Sequence, residues 1–212
     1  MPATIEKIDF KKTMKPLWNP PREWFVLVEV PPLNFLMIDG KGDPNTAPAY
    51  AAAVQWLYSV SYALKFASKD QGKDYGVAPL EGLWWAEDWA DFTAGRKDRW
   101  LWTAMIMQPD WITPAMLDAA VAKAQEKLGK VPASLRLKRF EEGLCAQTMF
   151  IGPYADEGPT IARLHGEFLP ANGLIETGKH HEIYLSDPRR TAPEKLRTVI
   201  RQPVRRAGGA SR

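Results

Sequence analysis

The sequence predicts an α/β (α+β) fold in which one strand-helix-strand-strand unit is written twice. The two copies are expected to form a pseudo-two-fold, antiparallel, eight-stranded sheet with helices on one side. Three observations carry this. Met105-Ile106-Met107-Gln108-Pro109 and Val199-Ile200-Arg201-Gln202-Pro203 end two apolar, strand-like runs with the same Ile-x-Gln-Pro. Upstream of each, a strand, a Pro-started helix and a short strand carrying a glutamate recur in the same order. The apolar residues also switch between strand-like runs and the spacing of one helical face. The helix-start prolines, Pro48 and Pro159, are spaced differently from the two Ile-x-Gln-Pro copies, so loops have changed length between halves. A duplicated half-sheet creates a seam, and seams hold ligands.

The elements follow in order. Residues 1–24 contain Pro16-Leu17-Trp18-Asn19-Pro20-Pro21, which cannot run far as helix or strand, and read as an arm packed on the body. Phe25 to Val30 and Asn34 to Ile38 are strand-like, broken at Pro31-Pro32 and closed by the turn Asp39-Gly40-Lys41-Gly42-Asp43-Pro44. A helix is expected from Pro48 to Ala67, with Ala53, Leu57, Val60, Leu64 and Ala67 on one face; Trp56 and Tyr62 suggest cover on further sides. Strands follow from Val77 to Trp85 and from Trp100 to Gln108. The helix at 113–128 has Thr113 to cap it, Pro114 at its first position and Gly129 to end it. It reads as a bridge between halves spanning 25–111 and 131–204 of a single domain, 25–204. The second half predicts a strand from Leu137 to Gly152 and a helix from Pro159 to Leu169 with Ile161, Leu164 and Phe168 inward. Strands from His180 to Ser186 and Leu196 to Gln202 complete it, and residues 205–212 read as a disordered tail.

Composition limits the function. With 212 residues, 45% hydrophobic and 25% charged, the chain can bury an ordinary core. No apolar run reaches the ~18 residues of a membrane span, and the start lacks the apolar segment of a secretory signal. The single cysteine, Cys145, has no internal disulfide partner, which points to a cytoplasmic setting. A net charge of +3, concentrated at the ends, does not announce nucleic acid, and no basic helix or zinc finger is present.

The residues with most chemistry are His180-His181-Glu182-Ile183-Tyr184. On a strand, alternation places His180, Glu182 and Tyr184 on one face, with His181 and Ile183 on the other, toward the core. A carboxylate between an imidazole and a phenol in an aromatic cleft is expected to have its pKa raised and to take a proton from water. The plainer alternative is an exposed strand glutamate paired with a Lys or Arg. Trp84, Trp85, Trp89, Trp100, Trp102 and Trp111 cluster in one stretch and offer indole faces to flat or cationic ligands; a tryptophan-rich core is the alternative. Adjacent residues in a strand point apart, so at most one of Trp84 and Trp85 lines a given cleft.

Other chemistries fail on spacing. His180, His181 and Glu182 are consecutive and cannot converge on a metal, His165 stands alone on a helix, and no metal or other cofactor is expected. His181, Ser186 and Asp187 form no triad, and Gly40-Lys41-Gly42 lacks the spacing of a phosphate loop.

Val28-Glu29-Val30-Pro31 with Asn34 to Asn45, Gly152-Pro153-Tyr154, His181 to Pro188 and Pro193 to Val204 resemble stand-alone members of the GyrI-like small-molecule-binding family. The resemblance spans roughly Lys7 to Val204. It implies the effector-binding-domain fold, a small-molecule partner, and an activity among three: binding of lipophilic cations at a buried glutamate, action on another protein, or hydrolysis of cyclopropane-bearing alkylators. Glu182 stands at the family's glutamate position. The resemblance then implies that Glu182 activates water, that Tyr154 and Tyr184 orient it or the ligand's carbonyl, and that Trp84, Trp85 and Trp102, with His180 beside Glu182, hold the ligand. Binding or sensing without turnover is the alternative. Neither the natural ligand nor the oligomeric state, monomer or dimer, is legible.

Overall fold

Pro31 and Pro32 interrupt the first sheet segment, and the strands on their two sides belong to different compact units. The computed structural model describes residues 6–88 and 95–208. In chain order it contains β1 (Lys7–Ile8), α1 (Phe10–Thr13), α2 (Lys15–Trp18), β2 (Val26–Val30), β3 (Leu33–Lys41), α3 (Pro48–Asp70), β4 (Asp74–Tyr75), β5 (Leu80–Trp85) and β6 (Leu101–Gln108). There follow α4 (Pro114–Leu128), β7 (Arg136–Phe140), β8 (Gly143–Ile151), α5 (Gly158–Arg163), a π turn (Leu164–Phe168), α6 (Leu169–Ala171), β9 (Leu174–Glu176), β10 (His180–Tyr184) and β11 (Arg197–Arg206).

The first unit comprises Met1–Met14 and Leu33–Phe140. Its antiparallel strands run in the order β5-β6-β3-β7, and β1 pairs with β4 in a separate parallel pair. Helix α3 covers this sheet with Ala53, Trp56, Leu57, Val60, Ser61, Leu64 and Ser68 buried, the expected stripe widened by Trp56. Tyr62, expected under cover, is 50% exposed and stacks with Tyr58 and Phe66 along the outer helix face. The Gln108 side-chain amide donates to Ser61 Oγ at 2.9 Å, tying the first Ile-x-Gln-Pro to α3. Helix α4 begins as its sequence dictates: the Thr113 hydroxyl accepts from the Met116 N–H at 3.3 Å, and Gly129 ends it at φ +78°.

The second unit comprises Lys15–Pro32 and Glu141–Arg212, with antiparallel order β10-β11-β8-β2 and β9 added on β11. Ala146, Ile200 and Val204 from its sheet form one core with Leu164, Leu169 and Leu174. The duplication is therefore present, with nine antiparallel strands rather than eight.

The expected halves differ from these units in one systematic way. The strand that precedes each copy is assigned to the other unit: β2 pairs with β8, and β7 pairs with β3. The continuous strand expected from Leu137 to Gly152 is accordingly two strands, broken at Glu141-Glu142 and restarted at Gly143, whose φ of +65° suits glycine. The bridging helix expected at 113–128 lies inside the first unit and packs on α3. The arm expected at 1–24 contributes β1 and α1 to the first unit and α2 to the second, with Leu17 and Trp18 buried. Arg205 and Arg206, expected in the tail, belong to β11, and residues 209–212 of the expected tail lie outside the described residues.

Candidate functional site

Strand β10 alternates as its sequence requires. Glu182 stands opposite Ile200 and Tyr184 opposite Thr198 on β11, and directly paired residues of antiparallel strands share a face. Ile200 belongs to the core under α5 and α6, so the face carrying His180, Glu182 and Tyr184 looks toward the helices. This corrects the expectation that Glu182 projects away from the core: in this unit both faces of β10 are covered.

On that face the two carboxylate oxygens of Glu182 have separate partners. The Tyr184 hydroxyl donates to Oε2 at 2.7 Å, and His180 Nε2 lies 3.1 Å from Oε1. The Glu182 side chain is 14% exposed and that of His180 2%. Tyr154, in a short 3-10 turn after Gly152-Pro153, meets the Tyr184 ring edge-on with centroids 5.4 Å apart. Four expected site residues, Tyr154, His180, Glu182 and Tyr184, thus form one cluster in the second unit. A held carboxylate beside two phenols and an imidazole can accept a proton and orient a polar ligand group.

The tryptophans belong to the first unit. Trp84 and Trp102 are register partners on β5 and β6, and Tyr50 of α3 touches both rings at 5.6 and 5.0 Å. Their indoles lie down over glycines: a Cβ on Gly82 would stand 2.6 Å from Trp84, and one on Gly40 2.2 Å from Trp102. Both are buried, at 3% and 1% exposure, so packing accounts for most of their ring surface, whereas Trp85 is half-buried. Trp89 lies outside the described residues.

Two groups were not expected from the sequence. On the opposite face of the second unit, His181 Nδ1 lies 2.9 Å from Glu142 Oε1, and Arg201 donates to Glu142 Oε2 at 3.1 Å, to Gln147 Oε1 at 3.0 Å and to the Leu17 carbonyl at 2.6 Å. Burial alone would raise the Glu142 pKa, but His181 and Arg201 outweigh it and hold the carboxyl at about 2. The only sequence signal was a charged residue, Arg201, inside an apolar strand. The second group is His165, which pairs with Glu176 at 3.4 Å and does not stand alone. Cys145 is buried, and burial pushes its thiol up.

Among the described residues, no cluster of His, Cys, Asp or Glu is arranged to hold a metal, and no helix is long and apolar enough to cross a membrane.

Comparison with known proteins places the chain in a family. An uncharacterized conserved protein from Listeria innocua is 44% identical, with a TM-score of 0.86 over 94% of this chain and all of its own. A hydrolase from the same organism is 42% identical, with a TM-score of 0.81 over the same shares of the two chains. The C-terminal domain of EcmrR shares the fold at 12% identity, with a TM-score of 0.55 over 86% of this chain and 98% of that one. No curated protein matches the chain. The model of the GyrI-like small-molecule-binding domain matches residues 25–205, and the chain belongs to that family.

Proposed function

We propose that the protein binds flat, lipophilic, aromatic or cationic small molecules at Glu182 and hydrolyses cyclopropanoid electrophiles there, protecting the cell that makes it. One observation carries the reading: both Glu182 oxygens are engaged, by Tyr184 at 2.7 Å and His180 at 3.1 Å, which fixes the carboxylate as an oriented base. The likeness to a Listeria innocua hydrolase at 42% identity supports the same reading.

In this mechanism water attacks a cyclopropane carbon and gives its proton to Glu182 as the new C–O bond forms. The ring C–C bond breaks, and its electron pair moves to the ligand's conjugated carbonyl oxygen, to which Tyr154 donates a hydrogen bond while the Tyr184 hydroxyl orients Glu182. The carbonyl oxygen takes up a proton from solvent and Glu182 gives its own back, so the product is the ring-opened alcohol with an enol or phenol where the carbonyl stood. Strain released from the three-membered ring lowers what the protein must supply, so one base and two phenols suffice. Of Trp84, Trp85 and Trp102, Trp85 is the one proposed as a ligand contact, because the other two are buried by packing. Loss of affinity in Trp85→Ala, followed by tryptophan fluorescence, tests the most accessible of them.

The decisive measurement is mass spectrometry of a cyclopropanoid alkylator incubated with the full chain. Wild type is expected to make many equivalents of ring-opened product, and Glu182→Gln to lose about 10² to 10⁴ of that rate while still binding. One equivalent of protection with no ring-opened product would overturn hydrolysis and leave a sequestering or sensing protein.

A further inference from the structure

Two buried polar side chains on the helix-facing side of the second unit's sheet have partners within the chain. Thr148, opposite Ile200, donates to the Pro21 carbonyl at 3.3 Å, and Gln202, opposite Ala146, donates to the Gly178 carbonyl at 2.8 Å. Thr198 differs. It is wholly buried, at 0% exposure, and among the described residues nothing hydrogen-bonds its Oγ1.

Register fixes where this hydroxyl stands. Thr198 pairs with Tyr184 on β10 and with Phe150 on β8, and Phe150 packs against the core under the helices, so Thr198 shares a face with His180, Glu182 and Tyr184. Glu182, two residues from Tyr184, is its diagonal neighbour. Diagonal partners lie about 7–8 Å apart, a span that a glutamate side chain and one water bridge. The frame itself does not call for a hydroxyl here. Offset by the spacing of the two Ile-x-Gln-Pro copies, the matching residue of the first unit is Ala104, opposite Gly82. A hydroxyl buried without a bond costs stability that alanine or valine would keep, so it calls for a partner from outside the chain, a water or a ligand atom.

We propose that the Thr198 hydroxyl and Glu182 hold the attacking water between them, a role that rests on Glu182 acting as the hydrolytic base. A carboxylate offers about four acceptor sites, more than the two given to Tyr184 and His180. The water donates one proton to Glu182 and the other to Thr198 Oγ1, leaving a lone pair for the cyclopropane carbon. As the C–O bond forms, Glu182 takes the first proton; the second stays on oxygen and becomes the hydrogen of the product alcohol. Thr198 is unchanged throughout. Glu182 alone would leave the water free to turn about one hydrogen bond, and a second anchor removes that freedom before the reaction.

Steady-state ring opening of a cyclopropanoid alkylator by Thr198→Val and Thr198→Ser reads this role. Valine keeps the shape and removes the hydroxyl: kcat is expected to fall about tenfold with KM within about twofold of wild type, because the lost bond is to water and not to the ligand. Serine keeps the hydroxyl and loses a methyl. It is expected to melt below Thr198→Val yet to keep kcat within about threefold of wild type. Activity that follows Tm instead of the hydroxyl, a change in KM alone, or a Thr198→Val kcat within about twofold of wild type overturns the proposal and leaves the hydrolase reading standing. A crystal structure of the full chain tests it without turnover. A water within hydrogen-bond distance of Thr198 Oγ1 and the Glu182 carboxylate is expected in wild type and not in Thr198→Val, and wild-type density without that water overturns the proposal. If wild type opens no ring while the water is there, the hydrolase reading fails and the water site stands.

Discussion

The two units place different chemistry at the same positions. Aligned on their Ile-x-Gln-Pro strands, Leu80 opposite Ile106 corresponds to Glu182 opposite Ile200, and Gly82 opposite Ala104 corresponds to Tyr184 opposite Thr198. On the other face, Met107 paired with Phe35 corresponds to Arg201 paired with Gln147. The first unit fills these places with carbon or with nothing, and the second with titratable and hydrogen-bonding groups. An apolar side chain gains from burial against any apolar neighbour, whereas a buried polar group costs stability unless it meets a specific partner. The polar residues of the second unit therefore come in matched sets: Glu182 with Tyr184 and His180, and Arg201 with Glu142, Gln147 and the Leu17 carbonyl. A duplicated frame holds its shape through one copy's packing and is free to specialise in the other.

Converting the second unit toward the first is the strongest way to break this comparison. Glu182→Leu installs the side chain found at the equivalent position 80. Ring opening is expected to fall by about 10² to 10⁴, with a circular dichroism spectrum like that of wild type. Turnover within about tenfold of wild type would remove the functional meaning of the difference.

The face behind Glu182 comes next. Glu142→Ala leaves the Arg201 guanidinium, 3% exposed, beside His181 without its carboxylate, and is expected to cost about 3–5 kcal/mol in urea unfolding. Replacing the set with the first unit's chemistry, Arg201→Met with Glu142→Leu, is expected to cost clearly less than Glu142→Ala alone, because no charge is then buried unpaired. A double variant as unstable as the single would show that the set does more than balance its own charges.

The same carboxyl gives a pH dependence. The folded Glu142 pKa of about 2 lies below its ordinary value of 4.5, so the unfolded chain takes up the proton first as pH falls. Its stabilisation is complete above pH 4.5 and is lost between there and about 2. Asp187, held down to about 2 by Arg189, acts in the same direction from the surface. Thermal melts should therefore show Tm falling as pH drops through this window, by less in Glu142→Gln. A wild-type Tm that is flat from pH 5 to 3 would contradict the assignment.

The sequence made the frame readable because apolar spacing and punctuation act locally. Thr113, Pro114 and Gly129 bound α4 as a capped helix must be bounded, and alternation on β10 brings His180, Glu182 and Tyr184 to one side. The exchange of β2 and β7 between units was not readable, because strand pairing is a long-range choice and Glu141-Glu142 looks like the middle of a strand until Gly143 turns it. The repeated short-strand glutamate misled for a related reason. Glu81 stands opposite Met105 and so corresponds to Ile183, one residue out of step with Glu182 and on the other face. A one-residue offset is invisible to a pattern of element types, yet it decides which face carries the charge.

The smallest expected effects test whether the first unit is shaped by packing. Gly82 is where the tyrosine of the second unit has its counterpart, and a Cβ there would meet the Trp84 indole at 2.6 Å. That ring is hemmed by Tyr50 at 5.6 Å and Trp100 at 6.0 Å, so it cannot swing aside cheaply. Gly82→Ala is expected to cost about 1–3 kcal/mol by overpacking. Gly166 in the π turn has nothing within 4 Å of an added Cβ, and Gly166→Ala is expected to stabilise by roughly 0.5–1 kcal/mol through the entropy of the unfolded chain. Urea midpoints of the two variants should move in opposite directions. If Gly82→Ala is as stable as wild type, the indole over the glycine is loosely held, and the first unit's aromatic face is more open to a ligand than its packing indicates.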